Sequence, residues 1–591
     1  MCGIVGGVGK FDIRDYLLNG LRDLDYRGYD SAGIAFSTGQ SVEIYKTAGT
    51  VDYLDQIAPK QIDASAGIGH TRWATHGEPS KVNAHPQESM RGNFAIVHNG
   101  VIENYRALKN RLLGYGYTFK SETDTEVIVN LLEHNFRKNN DVLDGIRRTI
   151  DELQGSYAVA IVYRYEDEKI YFMKNRAPLL IGVGKKCNYL ASDAVPMIKQ
   201  TQKFIDLNDC QYGFISPENI EIYLGYSKIT PTFSTKNPDA LKKDLEGYPH
   251  YMLKEIEETP EVIRRLIDNY YDGKKFLFEK NMLEAIRKSD DVVFIACGTS
   301  YHASLLGKRF MLALGKRSEA YIASEWAYYP IFTSRKPIYI LISQSGETAD
   351  LIKCQKIIND RGAVNVTITN TKGSTLERDA TFSCLLYAGL EVAVASTKAY
   401  SAQVSLLSLL IGALERKYNI IDQLYSLNDA LKTIKEKKED IHKIAIQIKD
   451  NHDVFFLGRG GDYDAAFESS LKLKEITYIH SEALAGGELK HGPIALIEKG
   501  TPVFGFISDI SIDLAMRGNF KEVEARGAVV YSIATEPLKK EGDAFVVPLV
   551  NPSLAPLCDV YFAQYLAYYT ALEKEVNIDK PRNLAKAVTV E

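Results

Sequence analysis

The sequence predicts an α+β domain followed by two α/β subdomains with parallel sheets, and three observations carry that expectation. Over the first 230 or so residues, short β-type runs alternate with turns and are interrupted by two helical stretches. From about residue 290 the pattern becomes apolar strand, small-residue turn and helix, repeated. A second series of the same kind opens at DVFFLGRGG, which suggests two similar subdomains. The length of 591 residues agrees, because roughly 150 residues per domain gives about three or four units.

The elements follow in order. CGIVGGV suits an apolar strand, and DYLLNGLRDL has apolar residues at helical spacing. IAFST, SVEIYKTAG, FAIVHNG, YAVAIVY and KIYFMKN read as strands, with a second helix at DTEVIVNLLEHNF. YSKITPTFSTKNPDALKKD has turn formers and no apolar period, so the linker belongs there. VVFIACGTSYHASLL, IYILISQSGETADLI and AVNVTITNT make the first strand–helix series. The second continues through TPVFGFIS and GAVVYSIA. The expected boundaries are 1–230, a linker at 231–250, subdomains at 251–435 and 436–576, and a tail at 577–591. Ligands on open parallel sheets bind at the carboxyl ends of the strands, where the Ser/Thr/Gly turns fall.

Composition narrows the function. Hydrophobic residues make up 45% and charged residues 25%, an ordinary globular balance. A net charge of -5 provides no overall positive field, so neither nucleic acid nor an anionic membrane is an expected partner. The seven cysteines (Cys2, Cys187, Cys210, Cys297, Cys354, Cys384, Cys558) are odd in number and never spaced as CxxC, which argues against a disulfide framework or a zinc ribbon. With neither a signal-like segment nor a bilayer-length apolar run, the expected compartment is the cytoplasm.

Three constellations carry chemistry. Trimming of the initiator methionine would leave Cys2 with a thiol and an α-amino group, a nucleophile that holds its own base. Cysteine also buries readily in apolar strands, so the residue alone leaves both readings open. YRGYDSAG (Arg27), GHTRWATHG (Arg72, Trp73, Thr75, His76), HNG (Asn99, Gly100) and ETDTE (Asp124) offer forks for a carboxylate, an acceptor for an ammonium and donors for an oxyanion. A zinc site from His70, His76 and His85 lacks a helical HxxxH or a cysteine partner.

The second constellation is SQSGET, whose Ser343, Gln344, Ser345 and Thr348 lie where a helix would present its positive end to an anion. CGTS (Thr299, Ser300) repeats the design and VAVASTK adds Ser396, whereas GRGG is a poor dinucleotide fingerprint. In the third, Glu468, Lys472 and Glu475 fall at i, i+4 and i+7 on one helix face, which fits either an ion-pair stripe or a catalytic acid–base set.

MCGIVGG, YRGYDSAG, GHTRWATHG, HNGVIEN and SETDTE resemble the N-terminal-nucleophile glutaminase domain of glutamine amidotransferases. CGTS, SQSGETAD, VASTKAY, LKLKEITYIHSEA, GELKHGP and PRNLAKAVTVE resemble the sugar-isomerase (SIS) half of the glutamine–fructose-6-phosphate aminotransferase family, the glucosamine-6-phosphate synthases. Together the motifs run from Cys2 to Glu591. The resemblance implies a four-layer αββα N-terminal-nucleophile hydrolase domain followed by two SIS subdomains.

It also implies roles. Cys2 forms a thioester with glutamine, Asn99 and Gly100 make the oxyanion hole, and Arg72 and Asp124 clamp the substrate, with Arg27, Trp73, Thr75 and His76 around it. Ser343, Gln344, Ser345 and Thr348 bind the phosphate of fructose 6-phosphate, while Thr299, Ser300 and Ser396 line the sugar site. Lys586 forms an imine with the open-chain sugar, His491, often from a neighbouring subunit, opens the ring, and Glu475 moves a proton between C1 and C2 with Lys472 in support. Trp73 gates the ammonia passage. A homodimer through the SIS subdomains is implied, and no cofactor or metal.

The chemistry asks for the same residue types. A lysine attacks a carbonyl only when neutral, which desolvation would promote. A carboxylate serves as base for an aldose–ketose shift. Ammonia must stay unprotonated, so a water-poor passage is expected. The departures from the family pattern are Gln87, where a second histidine is common, and Leu484 and Gly487, where an aromatic and an alanine are expected. Amination of another keto-sugar phosphate would use the same loop. An amidophosphoribosyltransferase would need a paired-acid pyrophosphate loop not seen here, and a sensor would have no need of nucleophiles.

Overall fold

The computed structural model describes residues 2–24, 30–73, 77–236, 244–332 and 334–588. The chain divides into two compact units, one of residues 1–243 and 587–591 and the other of residues 244–586.

In the first unit, strands pair antiparallel in two sheets. One runs Ser234–Thr235, Lys203–Asp206, Leu180–Val183, Cys187–Ala191, Gly3–Gly9, Ala66–Arg72, Ser31–Ser37 and Val42–Thr47 from edge to edge. The other runs Ser227–Ile229, Ile220–Leu224, Gln211–Ile215, Glu166–Asn175, Gly155–Tyr163, Phe94–Ile102 and Gln87–Glu88. Period-two alternation splits the apolar residues between layers. Ile4, Val8, Ala35 and Ile68 of the first sheet meet Ala95, Val97, Ala158 and Ala160 of the second. Val5, Ile34 and Phe36 point the other way, onto the helix Ile13–Leu24. Phe94, Ile96, Val159 and Ile161 pack under Asp124–Phe136 and Val142–Glu152. Three separate cores between four layers make this an αββα sandwich.

Two expectations need correction here. The segment read as linker contributes edge strands, since Ser227–Ile229 pairs with Ile220–Leu224 and Ser234 and Thr235 pair with Phe204 and Lys203. Short Thr/Ser-rich stretches show little apolar period of their own and become strands where a sheet edge offers partners. The unit also holds helices beyond the two read from sequence: Val51–Ile57, Tyr105–Gly114 and Val142–Glu152. The last had a legible start, since the Asp141 side chain caps it by accepting from Asp144 N at 3.0 Å.

The second unit contains two five-stranded parallel sheets of the same strand order. The first runs Arg317–Ile322, Asp291–Ala296, Pro337–Ser343, Val364–Thr369 and Phe382–Leu385, and the second His480–Ala485, Asp453–Gly458, Pro502–Ile507, Val529–Thr535 and Phe545–Val547. Register is continuous: Ala296 lies opposite both Ile322 and Ile342, and Leu457 opposite Leu484 and Gly505. Asp291–Ala296 and Pro502–Ile507 are buried throughout, as strands covered on both faces must be. One continuous core joins the inner faces of both sheets to the helices Lys398–Glu415 and Ala555–Glu573. Among the described residues no helix is long and apolar enough to cross a membrane.

Candidate active sites

The first site lies in the αββα unit, beside the start of Gly3–Gly9. Cys2, Arg72, Trp73, Gly100, Asp124, His85, His98, Thr123 and Thr125 line one pocket. The Trp73 backbone holds the thiol, and the Asn99 side chain holds the Cys2 carbonyl. Trp73 N–H donates to Cys2 Sγ at 3.1 Å, and the Cys2 carbonyl accepts from Asn99 Nδ2 at 3.0 Å. Burial pushes the Cys2 thiol up, while the Trp73 N–H and the Arg72 guanidinium pull the other way. The α-amine expected to serve as base belongs to a position whose flanking residue, Met1, lies outside the described residues.

Gly100 follows Asn99 with φ +132, and a Cβ there would sit 1.9 Å from the Ser156 carbonyl oxygen, so no side chain fits. Arg72 ends the strand Ala66–Arg72 and is 3% exposed; its Nη2 donates to the Gly77 carbonyl at 3.2 Å. Asp124 begins the helix Asp124–Phe136, where Thr123 caps the end, and its Oδ2 accepts from Ile102 N at 2.8 Å. A thiol, a cation and a carboxylate thus converge on one pocket, the set that a free amino acid requires. Arg27, Thr75 and His76 lie outside the described residues. Gln87, the departure near this site, donates to the Val82 and Ala84 carbonyls, each at 3.0 Å, and so fastens the segment that carries His85.

The second site lies in the parallel-sheet unit. The helix Gly461–Thr477 turns Glu468, Lys472 and Glu475 to one face, on which Glu468 and Lys472 are each 0% exposed and Glu475 is half-buried. Lys472 Nζ reaches Glu475 Oε2 at 2.6 Å, Thr299 Oγ1 at 3.0 Å and Glu468 Oε1 at 3.4 Å. Thr299 in turn donates to Glu468 at 3.0 Å, and His302 Nδ1 lies 2.7 Å from the other Glu468 oxygen. Burial opposes the Lys472 charge, but Glu468 and Glu475, with Glu391 adding to them, raise its pKa above the ordinary lysine value. The face is therefore a buried charge network and not a solvated stripe.

Lys586 is an ion-pair partner here. Its Nζ donates to Glu391 Oε2 at 2.5 Å and to the Ala393 carbonyl at 2.8 Å. Ser396 Oγ donates to the same Glu391 oxygen at 3.0 Å. The other oxygen accepts from Thr397 N and Ala399 N, at the positive end of the helix Lys398–Glu415. Burial alone would raise the Glu391 carboxyl, yet Lys586 and these N–H donors hold it below the usual range. Glu255 stands alongside, accepting from Val392 N and, at 3.2 Å, from Ala393 N; burial pushes its carboxyl up to about 8. Sequence reading missed Glu391 and Glu255. The legible signal for Glu391 was an acid in an apolar loop just ahead of a helix start.

The loop after Pro337–Ser343 gathers the expected hydroxyls. Ser343 Oγ lies 3.0 Å from Thr348 Oγ1 and 3.5 Å from Ser345 Oγ, and Gly346 N–H donates to it at 3.0 Å. The helix Ala349–Asp360 begins there, with Thr348 at its N-cap position. Gln344 joins through its backbone carbonyl, which accepts from Asn370 N at 3.0 Å. Ser300 is nearly buried and accepts from Gln403 Nε2 at 2.9 Å. His491 is exposed on the 3-10 turn Glu488–His491, outside the Lys472 and Lys586 networks.

Fold and sites together define a class: an N-terminal-nucleophile amidotransferase joined to a duplicated sugar-isomerase pair. Comparison with known proteins agrees. A family model described as a glutamine amidotransferase domain matches residues 70–199, and one described as a SIS domain matches 285–413 and 447–574. Relatives named glutamine–fructose-6-phosphate aminotransferase [isomerizing] from Geobacillus kaustophilus (strain HTA426) and Bacillus thuringiensis subsp. konkukian (strain 97-27) are 45% and 46% identical, with 100% of each chain covered. The C-terminal domain of glucosamine-fructose-6-phosphate aminotransferase from Francisella tularensis is 30% identical with a TM-score of 0.53, covering 57% of this chain and 100% of its own. The chain belongs to the glutamine–fructose-6-phosphate aminotransferase (isomerizing) family.

Proposed function

We propose that the chain hydrolyses glutamine at Cys2 and uses the ammonia to convert fructose 6-phosphate to glucosamine 6-phosphate. The observation that carries this reading is the presence, within one chain, of a thiol pocket, a buried lysine–carboxylate network and a hydroxyl-rich loop at a helix start. In the first unit Cys2 attacks the glutamine side-chain amide, and Asn99 Nδ2 with the Gly100 N–H receives the oxyanion. Arg72 takes the substrate carboxylate and Asp124 its ammonium, with Arg27, Thr75 and His76 completing the pocket. Release of ammonia leaves a thioester that water cleaves to glutamate, and Trp73 gates the ammonia.

In the second unit Ser343, Gln344, Ser345 and Thr348 hold the phosphate, and Thr299, Ser300 and Ser396 border the sugar. Lys586 gives its proton to Glu391 and attacks the C2 carbonyl of the open-chain ketose. After exchange with ammonia at that carbon, Glu475 carries a proton from C1 to C2, while its contact with Lys472 Nζ holds the carboxylate in place. His491, exposed on its own chain, opens the sugar ring in the site of a second copy, which makes the working form a homodimer through the SIS subdomains. The domains are assigned as 1–230 extended by the edge strand Ser234–Thr235, 251–435 and 436–576, with 577–591 as the catalytic tail. A cytoplasmic setting suits seven unpaired thiols.

The test is a coupled assay of the purified chain with glutamine and a panel of keto-sugar phosphates. Fructose 6-phosphate should yield an amino-hexose phosphate and one glutamate per turnover, and Cys2→Ala should lower glutamine-dependent output on the order of a thousand-fold or more. No aminated product from fructose 6-phosphate would remove the assignment.

A further inference from the structure

At the Cys2 pocket are three buried histidines that the mechanism above leaves unused, His85 and His98 in its lining and His70 against His98 and Asn99. His70 belongs to the strand Ala66–Arg72 and His98 to Phe94–Ile102, and His85 lies in the segment ahead of Gln87–Glu88. The His70 and His85 rings are 4.3 Å apart at their centres, and those of His85 and His98 are 6.4 Å apart. Burial holds His70 down to about 3 and His85 well below its ordinary value, with Arg72 and the neighbouring rings adding to it. At any working pH the His70 ring therefore carries a single proton.

Geometry says where that proton sits. His70 Nε2 faces two oxygens, the His98 carbonyl and Asn99 Oδ1, each at 3.0 Å. A backbone carbonyl only accepts, so Nε2 must donate, and the buried Nδ1, which has no hydrogen-bond partner, is the unprotonated nitrogen. At the other end of the Asn99 amide the partner is the Cys2 carbonyl, 3.0 Å away and also an acceptor. Carbonyls at both ends thus fix the polarity of the whole chain, which runs from the His98 oxygen through His70 N–H and the Asn99 amide to the Cys2 oxygen. Flipping the amide would set Oδ1 against the Cys2 carbonyl and NH₂ against the His70 N–H, two repulsive contacts in a buried place.

We propose that His70 is a positioning residue for glutamine hydrolysis: it locks the Asn99 amide with its NH₂ turned to Cys2, so the oxyanion donor is aimed before substrate arrives. The inference rests on the reading of Cys2 as nucleophile and Asn99 as oxyanion donor. Losing the lock leaves the donor wrongly turned for part of the time. The effect falls on the transition state, which uses that donor, and spares glutamine binding, which does not.

The experiment compares His70→Leu, His70→Gln and Asn99→Ala, singly and with His70→Leu and Asn99→Ala combined, in the full chain. It reads glutamine-hydrolysis kcat and KM, and the rate at which iodoacetamide alkylates Cys2. His70→Leu should lower kcat roughly 10- to 100-fold with KM within about threefold and alkylation nearly unchanged. His70→Gln, whose amide can still donate, should recover most of the loss, and the double variant should be no slower than Asn99→Ala alone. Full kcat in His70→Leu, a loss carried by KM, multiplying losses in the double variant, or alkylation failing in parallel with kcat would each overturn the proposal. Should His70→Leu fail to fold, His70→Gln decides: a kcat no better than that of Asn99→Ala overturns it. Undiminished hydrolysis in Cys2→Ala would overturn instead the reading beneath it.

Discussion

Lys586 Nζ is held against the Glu391 carboxylate, where the sequence led us to expect a lysine set apart by desolvation. The contact places an acceptor beside the amine that is proposed to attack the sugar. Replacing Glu391 by Gln should lower both borohydride-trappable imine with fructose 6-phosphate and turnover about tenfold or more, for want of a proton acceptor. Unchanged trapping and turnover would show that Glu391 does not serve the lysine. Glu255 gives a separate prediction. Its folded value, about 8, lies above the unfolded 4.5, so its contribution to stability is complete below 4.5 and disappears as pH rises through about 8. Glu391, held low, has the opposite sign. Thermal unfolding of Glu255→Gln should therefore vary less between pH 5 and 8 than that of the unaltered protein.

Among elements, the helix Gly461–Thr477 carries, on a largely covered face, the charged groups to which the sugar chemistry is assigned by proposal. Glu468 collects Lys472, Thr299 and His302, from two different helices, on one fully buried carboxylate. Removing one partner of such a network leaves the others buried and undercompensated. Glu468→Gln should cost about 3 kcal/mol in unfolding free energy, and it should lower the isomerisation rate with little change in KM, because Lys472 loses its second anchor and Glu475 its fixed position. Equal stability and rate in the variant would mean the network is ornamental. The loop proposed to bind phosphate is simpler. Its Ser343–Thr348 cluster forms where a parallel strand ends and the helix Ala349–Asp360 starts, so strand, turn and helix residues alone specify it.

For the molecule as a whole, the cores of 1–243 and 244–586 are built from different clusters, so chemistry removed from one unit should leave binding in the other. In Cys2→Ala, stabilisation of the second unit by fructose 6-phosphate, read as a thermal shift, should match the unaltered protein. Loss of that shift would contradict independent folding of the units.

Much of this was legible in one dimension. Strands such as FAIVHNG and YAVAIVY, the helix at DTEVIVNLLEHNF and the repeated strand–turn–helix series appear as read, because their periodicity is local and their turns punctuate it. The edge strands at Ser227–Ile229 and Ser234–Thr235 were not legible, because a sheet elsewhere in the sequence supplies their partners. The α+β character of the first domain, the twin parallel sheets, the thiol pocket's residue types and the i, i+4, i+7 acid–base face were set by the order and spacing of residues, and the αββα layering was implied by the family resemblance. Tertiary structure alone decided that the face is buried, that Glu391 pairs with a lysine 195 residues away, and that His70 holds Asn99 in one orientation. The physical reason is that sequence spacing fixes neighbours within a few residues, whereas burial, and the partner a buried charge or amide must find, depend on which distant segments the fold brings against it.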